Sequence, residues 1–361
     1  MKRIIQSRKT AGLSALALSA LIVGSTASAT ETVRVEIGSS HPTQNIWVWA
    51  MQNVFQPEVD RILEENGGNY QVNWRESYGG TLFDFGDTRT SLRDGIVDIG
   101  MVGTVWEGSD MPLQNVTYFT PFATEDHELL IQIFDELNSE VDALVDSWSA
   151  QNMVHLSSLI TDSYDVYATS QVESLDDLQN MRINAPGSSA NWLSGTGATP
   201  VDGALTTYYT NIQTGVTEGA LSFATGIEPT QVYEVAPELT RVGIGAMYFG
   251  SVAVNKDFFE GLPEEVQDAF LEAGKETSLR HGEYVSDQMD QALEKMQAEG
   301  LNVSELPESE KERWVESLPE SIVEEWLDMG GDDAEELLKA YFDLLREHGE
   351  EPLRDWDNIV R

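Results

Sequence analysis

The chain has 361 residues, of which 41% are hydrophobic and none is cysteine. Its 62 acidic residues far outnumber its 21 Lys and Arg residues, and the formal net charge is −41. A charge of this sign and size excludes nucleic acids and anionic membrane surfaces as partners, because both would be repelled. With 9 Trp and 11 Tyr residues the chain is too apolar for disorder. We therefore predict a folded protein with an acidic surface, typical of a salt-loving bacterium.

The first 29 residues have the three parts of a signal peptide. Four basic residues precede an apolar run over 11–24, and Ala27-Ser28-Ala29 supplies the small residues of a cleavage site. The apolar run is shorter than the ~20 residues that span a bilayer, which disfavours a retained anchor. We predict cleavage before Thr30 and export to the periplasm. N-terminal sequencing of the exported protein checks this, and Met1 still attached would contradict it.

The first half of the mature chain alternates strands and helices. An apolar–polar alternation predicts the first strand, and a stripe of apolar residues at helical spacing predicts the helix after it. The predicted elements are a strand at 32–38, a helix at 45–65, a strand at 70–76, a helix carrying Leu92 and a strand at 97–102. This order predicts an α/β lobe with a largely parallel sheet.

The second half repeats the pattern and then becomes helical. Strands at 166–170 and 181–184 flank a capped helical turn at 174–178. After Asn255 the composition is rich in Glu, Ala and Leu, with a helix that begins near Pro263 and an amphipathic helix at 335–347. We predict an α/β fold of two lobes, with a ligand at the carboxyl ends of the strands.

The sequence carries no catalytic, metal or cofactor motif. No G-x-S-x-G elbow, P-loop or G-x-G-x-x-G pattern is present, and no two histidines are spaced as metal ligands. We interpret each histidine as a surface or hydrogen-bonded residue: His41, His127, His155, His281 and His348. We therefore expect neither catalytic residues nor a metal or other cofactor.

One stretch, 174–269, resembles the substrate-binding subunit of tripartite ATP-independent periplasmic (TRAP) transporters, the DctP family. The similarity rests on consecutive motifs at matching spacing: Ser174-Leu175-Asp176-Asp177-Leu178, Met181 to Gly187, Gly197-Ala198-Thr199-Pro200-Val201, Tyr209, Gln213 to Gly219, Tyr233-Glu234-Val235 and Val254-Asn255-Lys256. Weaker similarity around Leu92 to Gly100 extends it over most of the mature chain.

This resemblance implies a periplasmic binding protein fold, in which crossing strands and a long helix join two lobes that close on a solute. We expect lobe I at 30–161 with 249–288 returning to it, lobe II at 162–248 with 289–330 packing on it, and a C-terminal helix at 331–361. The implied partners are a small solute and two integral-membrane subunits of a cation-driven importer, with the exported chain a monomer that inserts in no membrane.

The sequence departs from the family where a ligand carboxylate is usually bound. Asn184 stands at the position of the family's clamping Arg, and Tyr164 at that of a second cleft Arg. Ser222 falls within another altered cleft motif. A guanidinium suits a carboxylate because its paired donors match both oxygens, and a buried carboxylate without one is costly.

Aromatic residues gather near the strand ends instead, and aromatic faces together with a carboxylate can hold an ammonium group. The predicted ligand-binding set is Asn184, Tyr164, Trp106, Tyr209, Phe223, Ser222, Tyr248, Trp47, Glu107 and Asp165. It favours a small amine, similar to ethanolamine or choline.

The sequence alone leaves three alternatives open. The solute could be an organic acid or polyol bound through another arginine, such as Arg75 or Arg89. The chain could also be a sensor that docks onto a receptor, or an exported enzyme. Neighbouring genes for membrane subunits would separate transport from sensing, and turnover would reveal an enzyme.

Overall fold

The computed structural model describes residues 30–361, and the predicted signal peptide lies outside the described residues. Eleven strands form two sheets within this range: β1 Glu31–Gly38, β2 Tyr70–Ser77, β3 Ile99–Gly103, β4 Met153–Ile160, β5 Asp165–Ala168, β6 Arg182–Asn184, β7 Thr199–Val201, β8 Gly219–Ser222, β9 Glu238–Arg241, β10 Tyr248–Asn255 and β11 Asn302–Glu305.

The first sheet has the order β2-β1-β3-β10-β4 and the second has the order β11-β9-β5-β8-β6-β7. The predicted parallel arrangement is present in β1, β2 and β3, whereas β10 is antiparallel to both β3 and β4. This difference follows from topology, because β10 enters the first sheet directly from β9 of the second. The α/β fold of two lobes is therefore confirmed.

In the described part of the chain, twelve α-helices surround the sheets: α1 Ile46–Ala50, α2 Gln56–Glu65, α3 Thr88–Arg93, α4 Val116–Phe119, α5 His127–Glu140, α6 Asp142–Ala150, α7 Leu205–Gln213, α8 Ala224–Thr230, α9 Lys256–Glu260, α10 Glu264–Ala298, α11 Glu308–Ser317 and α12 Ser321–Glu347. A π-helical turn at Met51–Phe55 joins α1 to α2. Shorter 3₁₀ turns lie at Phe85–Asp87, Thr104–Trp106, Pro112–Asn115, Leu175–Leu178, Gly187–Leu193, Val232–Glu234 and Trp356–Ile359.

Local sequence chemistry sets several of these boundaries. Asn45 caps α1 by accepting a hydrogen bond from the backbone of Trp47. Ser174 forms the capping box that the sequence predicts for the turn after β5. The C-terminal amphipathic helix begins earlier than predicted, at Ser321, but Gly331 interrupts it with φ 61° and ψ −144°. The predicted boundary at 331 therefore falls on a kink.

Two short segments and one long helix connect the lobes. The chain crosses from β4 to β5 at 161–164 and returns from β9 to β10 at 242–247. Helix α10 packs against β4 of the first lobe and against α8 of the second. Gly274 allows this approach, since a Cβ there would overlap the carbonyl oxygen of Leu156. Ser278 also accepts a hydrogen bond from the backbone of Ser158 at the sheet edge.

None of the helices described within 30–361 is both long enough and apolar enough to cross a membrane.

Candidate functional site

A small cavity lies between the two lobes, at the ends of strands from both sheets. In this closed structure the cavity is narrow, with an internal volume of about 10 Å³. Its walls are largely aromatic: His41, Trp47, Val105, Trp106, Tyr164, Pro186, Ala204, Leu205, Tyr208, Ser222, Phe223 and Phe249. Larger surface grooves occur elsewhere, but this cavity occupies the crevice where two-lobed α/β proteins bind ligands.

Trp47 forms the floor of the cavity on the lobe I side. The Asn45 cap fixes the start of α1, and the Trp47 indole then donates a hydrogen bond of 3.0 Å to the carbonyl oxygen of Ile160. Its ring stacks on Phe249 at a centroid separation of 3.5 Å and meets Phe223 of lobe II at 5.8 Å. Trp47 is therefore held in place by packing and by a hydrogen bond before any solute enters.

Trp106 reaches across the cleft from the 3₁₀ turn that follows β3. Its indole nitrogen lies 3.4 Å from the carbonyl oxygen of Gly203 in lobe II. The ring centroid lies 5.8 Å from Phe249 and 6.3 Å from His41. Trp106 therefore contributes to the cavity wall and also to the contact between the lobes.

The lobe II wall is built where β8 ends and α8 begins. Ser222 ends the strand and Phe223 occupies the N-cap position of the helix. Asp162 takes over the capping role, because its carboxylate accepts hydrogen bonds from the Ala224 and Thr225 backbone amides. The Phe223 side chain is then free to pack into the cavity, where it meets Tyr164 edge-on at 5.0 Å.

The lobes are closed over this cavity. Gly187, which follows β6, has φ 45° and approaches the backbone of Val105 so closely that a Cβ would overlap the Val105 carbonyl oxygen. The Ser188 hydroxyl lies 3.5 Å from the Asn115 side chain. These contacts join segments that follow strands of different sheets, so closure depends on backbone atoms as well as on side chains.

His41 supplies a polar atom with no partner to the cavity wall. Its Nδ1 is 3.1 Å from the Ser40 hydroxyl, whereas its buried Nε2 has no hydrogen-bond partner among the described residues. Burial lowers the pKa of His41 to about 4, so the imidazole is neutral at neutral pH. The neutral ring can offer one nitrogen to a solute without adding positive charge to the cavity.

No Lys, Arg, Asp or Glu is among the residues that line the cavity. The two arginines considered as alternative carboxylate anchors are both engaged elsewhere. Arg89 is nearly buried and pairs with Glu107 and Asp110. Arg75 is 73% exposed and pairs with Glu36.

Half of the predicted ligand-binding residues lie in the cavity wall: Trp47, Trp106, Tyr164, Ser222 and Phe223. The structure places the other five outside that wall, for different physical reasons.

Both predicted carboxylates are already paired. Glu107 forms an ion pair with Arg89, and although burial raises the pKa of Glu107, the arginine opposes that rise. Asp165 pairs with Arg241 at 2.8 Å and accepts hydrogen bonds from the backbones of Val242 and Gly243. Neither carboxylate faces the cavity, so the residues that line its aromatic wall include no acidic side chain.

Asn184 is fully buried within lobe II. Its amide nitrogen donates to the Thr217 hydroxyl at 2.8 Å and to the Gly219 carbonyl oxygen at 3.0 Å. Its amide oxygen accepts from Asn211 at 2.9 Å. These three bonds leave Asn184 as a link between β6, α7 and the start of β8 rather than a cavity residue.

The two remaining tyrosines also point elsewhere. Tyr209 lies on the outer side of α7, where its hydroxyl is 3.5 Å from Glu234. Tyr248 is buried in lobe I, stacks on Phe134 at 4.0 Å and accepts a hydrogen bond from Asn138.

The sequence does not single out several residues that the cavity uses, among them His41, Tyr208 and Phe249. A signal for His41 exists, because the residue lies shortly after the carboxyl end of β1, and α/β folds bind ligands at such strand ends. Tyr208 is the neighbour of the predicted Tyr209, and helical geometry turns consecutive residues of α7 to different sides.

A family sequence model and a periplasmic binding protein are both similar to this chain. Residues 38–327 match the sequence model of DctP, described as bacterial extracellular solute-binding protein, family 7. The ectoine-binding periplasmic protein TeaA of Halomonas elongata is 23% identical over 295 residues, which cover 81% of this chain and 85% of TeaA.

Two solved structures share the fold. DctP7 of Bordetella pertussis, an extracytoplasmic solute receptor that binds pyroglutamic acid, superposes with a TM-score of 0.76 at 20% identity, over 86% of this chain and 99% of the other. A TRAP periplasmic solute-binding protein from Sulfitobacter sp. NAS-14.1 with bound β-D-galacturonate gives 0.73 at 20% identity, over 86% and 100%. The resemblance found in the sequence is thus confirmed, and the chain belongs to the DctP family of bacterial extracellular solute-binding proteins, the solute receptors of TRAP transporters.

Proposed function

We propose that this protein captures a small amine, similar to ethanolamine or choline, in the periplasm and delivers it to the two membrane subunits of a TRAP transporter. It acts as a monomer, without cofactor and without chemical turnover. The observation that carries this proposal is the composition of the cavity wall, which combines aromatic faces with the absence of any cationic side chain.

The wall favours a cation for an electrostatic reason. The face of an aromatic ring is negative, and a desolvated cation over such a face gains about 2 kcal/mol or more. The Phe249 ring lies within 6 Å of both Trp47 and Trp106, and all three residues line the cavity. A ligand carboxylate enclosed there would lose its hydration without gaining a guanidinium partner, which is costly.

The relatives favour a second candidate, a small organic acid. Ectoine, which TeaA binds, carries a cationic amidine and a carboxylate on one small ring. An aromatic cavity wall would bind the amidine but would give the carboxylate no cationic partner. Pyroglutamate and galacturonate carry only the carboxylate. For these solutes the acid group would have to be bound by neutral donors such as His41 Nε2, and a polyol would depend on the same donors.

A ligand screen tests the proposal. At 100 times its dissociation constant a solute should stabilise the protein by ~2.7 kcal/mol. We expect ethanolamine or choline to raise the melting temperature, and succinate to leave it unchanged. Calorimetric titration then gives the affinity, and unaltered amine after prolonged incubation checks the absence of turnover.

The contribution of the rings is measured with Trp106→Ala, which should weaken amine binding by ~0.5–2 kcal/mol beyond any loss of packing. Trp49→Ala is the matched control, because Trp49 stacks on Tyr284 away from the cavity. Tight succinate binding with no response to either amine would contradict the proposal and favour the organic acid.

A further inference from the structure

Three tyrosines cluster at the end of the site away from the indoles. Tyr164 and Tyr208 line the cavity, and Tyr118 lies behind them. The indole of Trp192 organises this group. It stacks on Tyr118 at 5.7 Å, meets Tyr164 edge-on at 5.1 Å and donates a hydrogen bond of 2.7 Å to the Tyr118 carbonyl oxygen. All three tyrosine side chains are at most 2% exposed, so their orientations are fixed by packing.

The hydroxyl groups of this cluster lie near one another. Burial, followed by the neighbouring Tyr164 and Tyr208, holds the pKa of Tyr118 well above its ordinary value. Burial likewise raises the pKa of Tyr208, with a further rise from Tyr164. All three phenols are therefore neutral, and each can both donate and accept a hydrogen bond.

One hydroxyl group of this cluster lacks a well-formed hydrogen bond. The Tyr118 hydroxyl is buried and its nearest phenolic neighbour is Tyr164, but it has no partner at full hydrogen-bond geometry within 30–361. Buried polar groups in folded proteins almost always have a partner, and leaving one unpaired costs about 1–3 kcal/mol. Because Tyr164 lines the cavity and neighbours this hydroxyl, a polar group that binds Tyr164 would extend the network of phenols into the cavity.

The charge beside the cluster decides what that polar group is. Asp162 is fully buried and holds the N-terminus of α8. Burial raises the pKa of Tyr164, and the negative charge of Asp162 adds a smaller rise. A solute carboxylate at this end would face Asp162 with no cationic wall residue between them. A neutral hydroxyl meets no such repulsion and can exchange hydrogen bonds with the phenols.

The two ends of the site are continuous. Trp47 and Trp106 form one end with His41. Phe223 joins Trp47 to Tyr164 through a tilted contact of 5.8 Å and an edge contact of 5.0 Å. The aromatic wall is therefore continuous from the indoles to the phenols, and we expect a short solute to contact both ends when it binds.

We infer that Tyr164 and Tyr208 bind a hydroxyl group of the solute, so that the site selects an amino alcohol over a simple amine or a zwitterion. This rests on the proposed function, because the ammonium group must occupy the indole end. The two tyrosines then determine specificity, while Tyr118 positions Tyr164.

The test compares ligands that differ only in the hydroxyl-bearing end. Wild type, Tyr164→Phe and Tyr208→Phe are titrated calorimetrically with choline and tetramethylammonium, and with ethanolamine and ethylamine. Loss of one hydrogen bond should weaken choline and ethanolamine binding about threefold to tenfold in each variant. The two ligands without a hydroxyl should bind as they do to wild type. Tyr209→Phe, which changes an adjacent tyrosine outside the cavity, should behave as wild type with all four.

Each other outcome has a definite meaning. Equal losses for choline and tetramethylammonium would show that the phenols act through packing alone, and unchanged choline binding in both variants would show that they bind nothing. Either result overturns the inference but leaves an amine receptor. If glycine betaine binds wild type more tightly than choline does, the tyrosines bind a carboxylate of the solute and not a hydroxyl group, and the inference is overturned. If none of the four amines binds, the proposed function fails together with the inference.

Discussion

Gly187→Ala should leave both lobes folded and hold them apart. In the closed structure an added Cβ would overlap the Val105 carbonyl oxygen and lie 2.8 Å from its carbonyl carbon. Both are backbone atoms, so no side-chain rotation relieves the overlap. Two-lobed binding proteins retain their solute by hinge closure, and a variant that cannot close loses the contacts from one wall. We expect solute affinity to fall by at least about tenfold, which corresponds to ~1.4 kcal/mol.

Small-angle scattering provides the direct measurement. The radius of gyration of wild type should decrease when the solute is added, whereas that of Gly187→Ala should stay at the open value. Gly215→Ala is the matched control, because Gly215 also has a positive φ, of 70°, but a Cβ there meets no atom within 4 Å. Both substitutions share the backbone penalty of about 1 kcal/mol, and only the first should impair binding. Normal closure of the Gly187 variant would show that this backbone contact is not required.

The secondary structure could be predicted from the sequence because its signals are local. The alternation in β1, the capping box at Ser174 and the start of α10 after Pro263 each depend on residues within one or two turns. The antiparallel placement of β10 could not be predicted in this way. It depends on the return crossing between lobes, which no periodicity records.

Part of the candidate site can also be predicted from local sequence signals. Phe223 directly follows the end of β8 and Trp47 lies in the first helix after β1, and the fold brings strand ends together. For Glu107 and Asn184, whether the side chain is free to bind a ligand depends on partners that are distant in the sequence. Arg89 lies 18 residues before Glu107, and the Asn184 amide bonds to Asn211 and to Thr217, 27 and 33 residues away. A sequence pattern cannot show whether such a polar group is already satisfied.

Arg241→Ala should destabilise the fold strongly and more so at higher pH. Asp165 is 4% exposed and its ion-pair partner Arg241 is held at 2.8 Å, next to the return crossing. Removing one member of a buried pair leaves the other charge uncompensated, which typically costs 3–5 kcal/mol. Because the Arg241 side chain is 28% exposed, we expect about 2–4 kcal/mol at pH 8.

The pH dependence follows from the direction of the Asp165 shift. Burial raises the pKa of Asp165 to about 6, against the opposing effect of Arg241, and Glu125 adds a smaller rise. Between the ordinary value of 3.8 and about 6 the folded state therefore binds more protons than the unfolded state, and stability falls as the pH rises through that window. Without Arg241 the pKa moves higher still, and the decline should continue above pH 6.

Denaturant unfolding at pH 5 and pH 8 measures this difference. We expect Arg241→Ala to lose less stability at pH 5, where a protonated Asp165 no longer needs a cationic partner. Arg182→Ala is the matched control, since Arg182 pairs with Glu218 at the surface of the same lobe, with side chains 46% and 36% exposed. Solvent screens that pair, so its removal should cost little at either pH. Equal losses of stability at pH 5 and pH 8 in the Arg241 variant would contradict the raised pKa of Asp165, and with it the view that this arginine neutralises a buried charge where the lobes are joined.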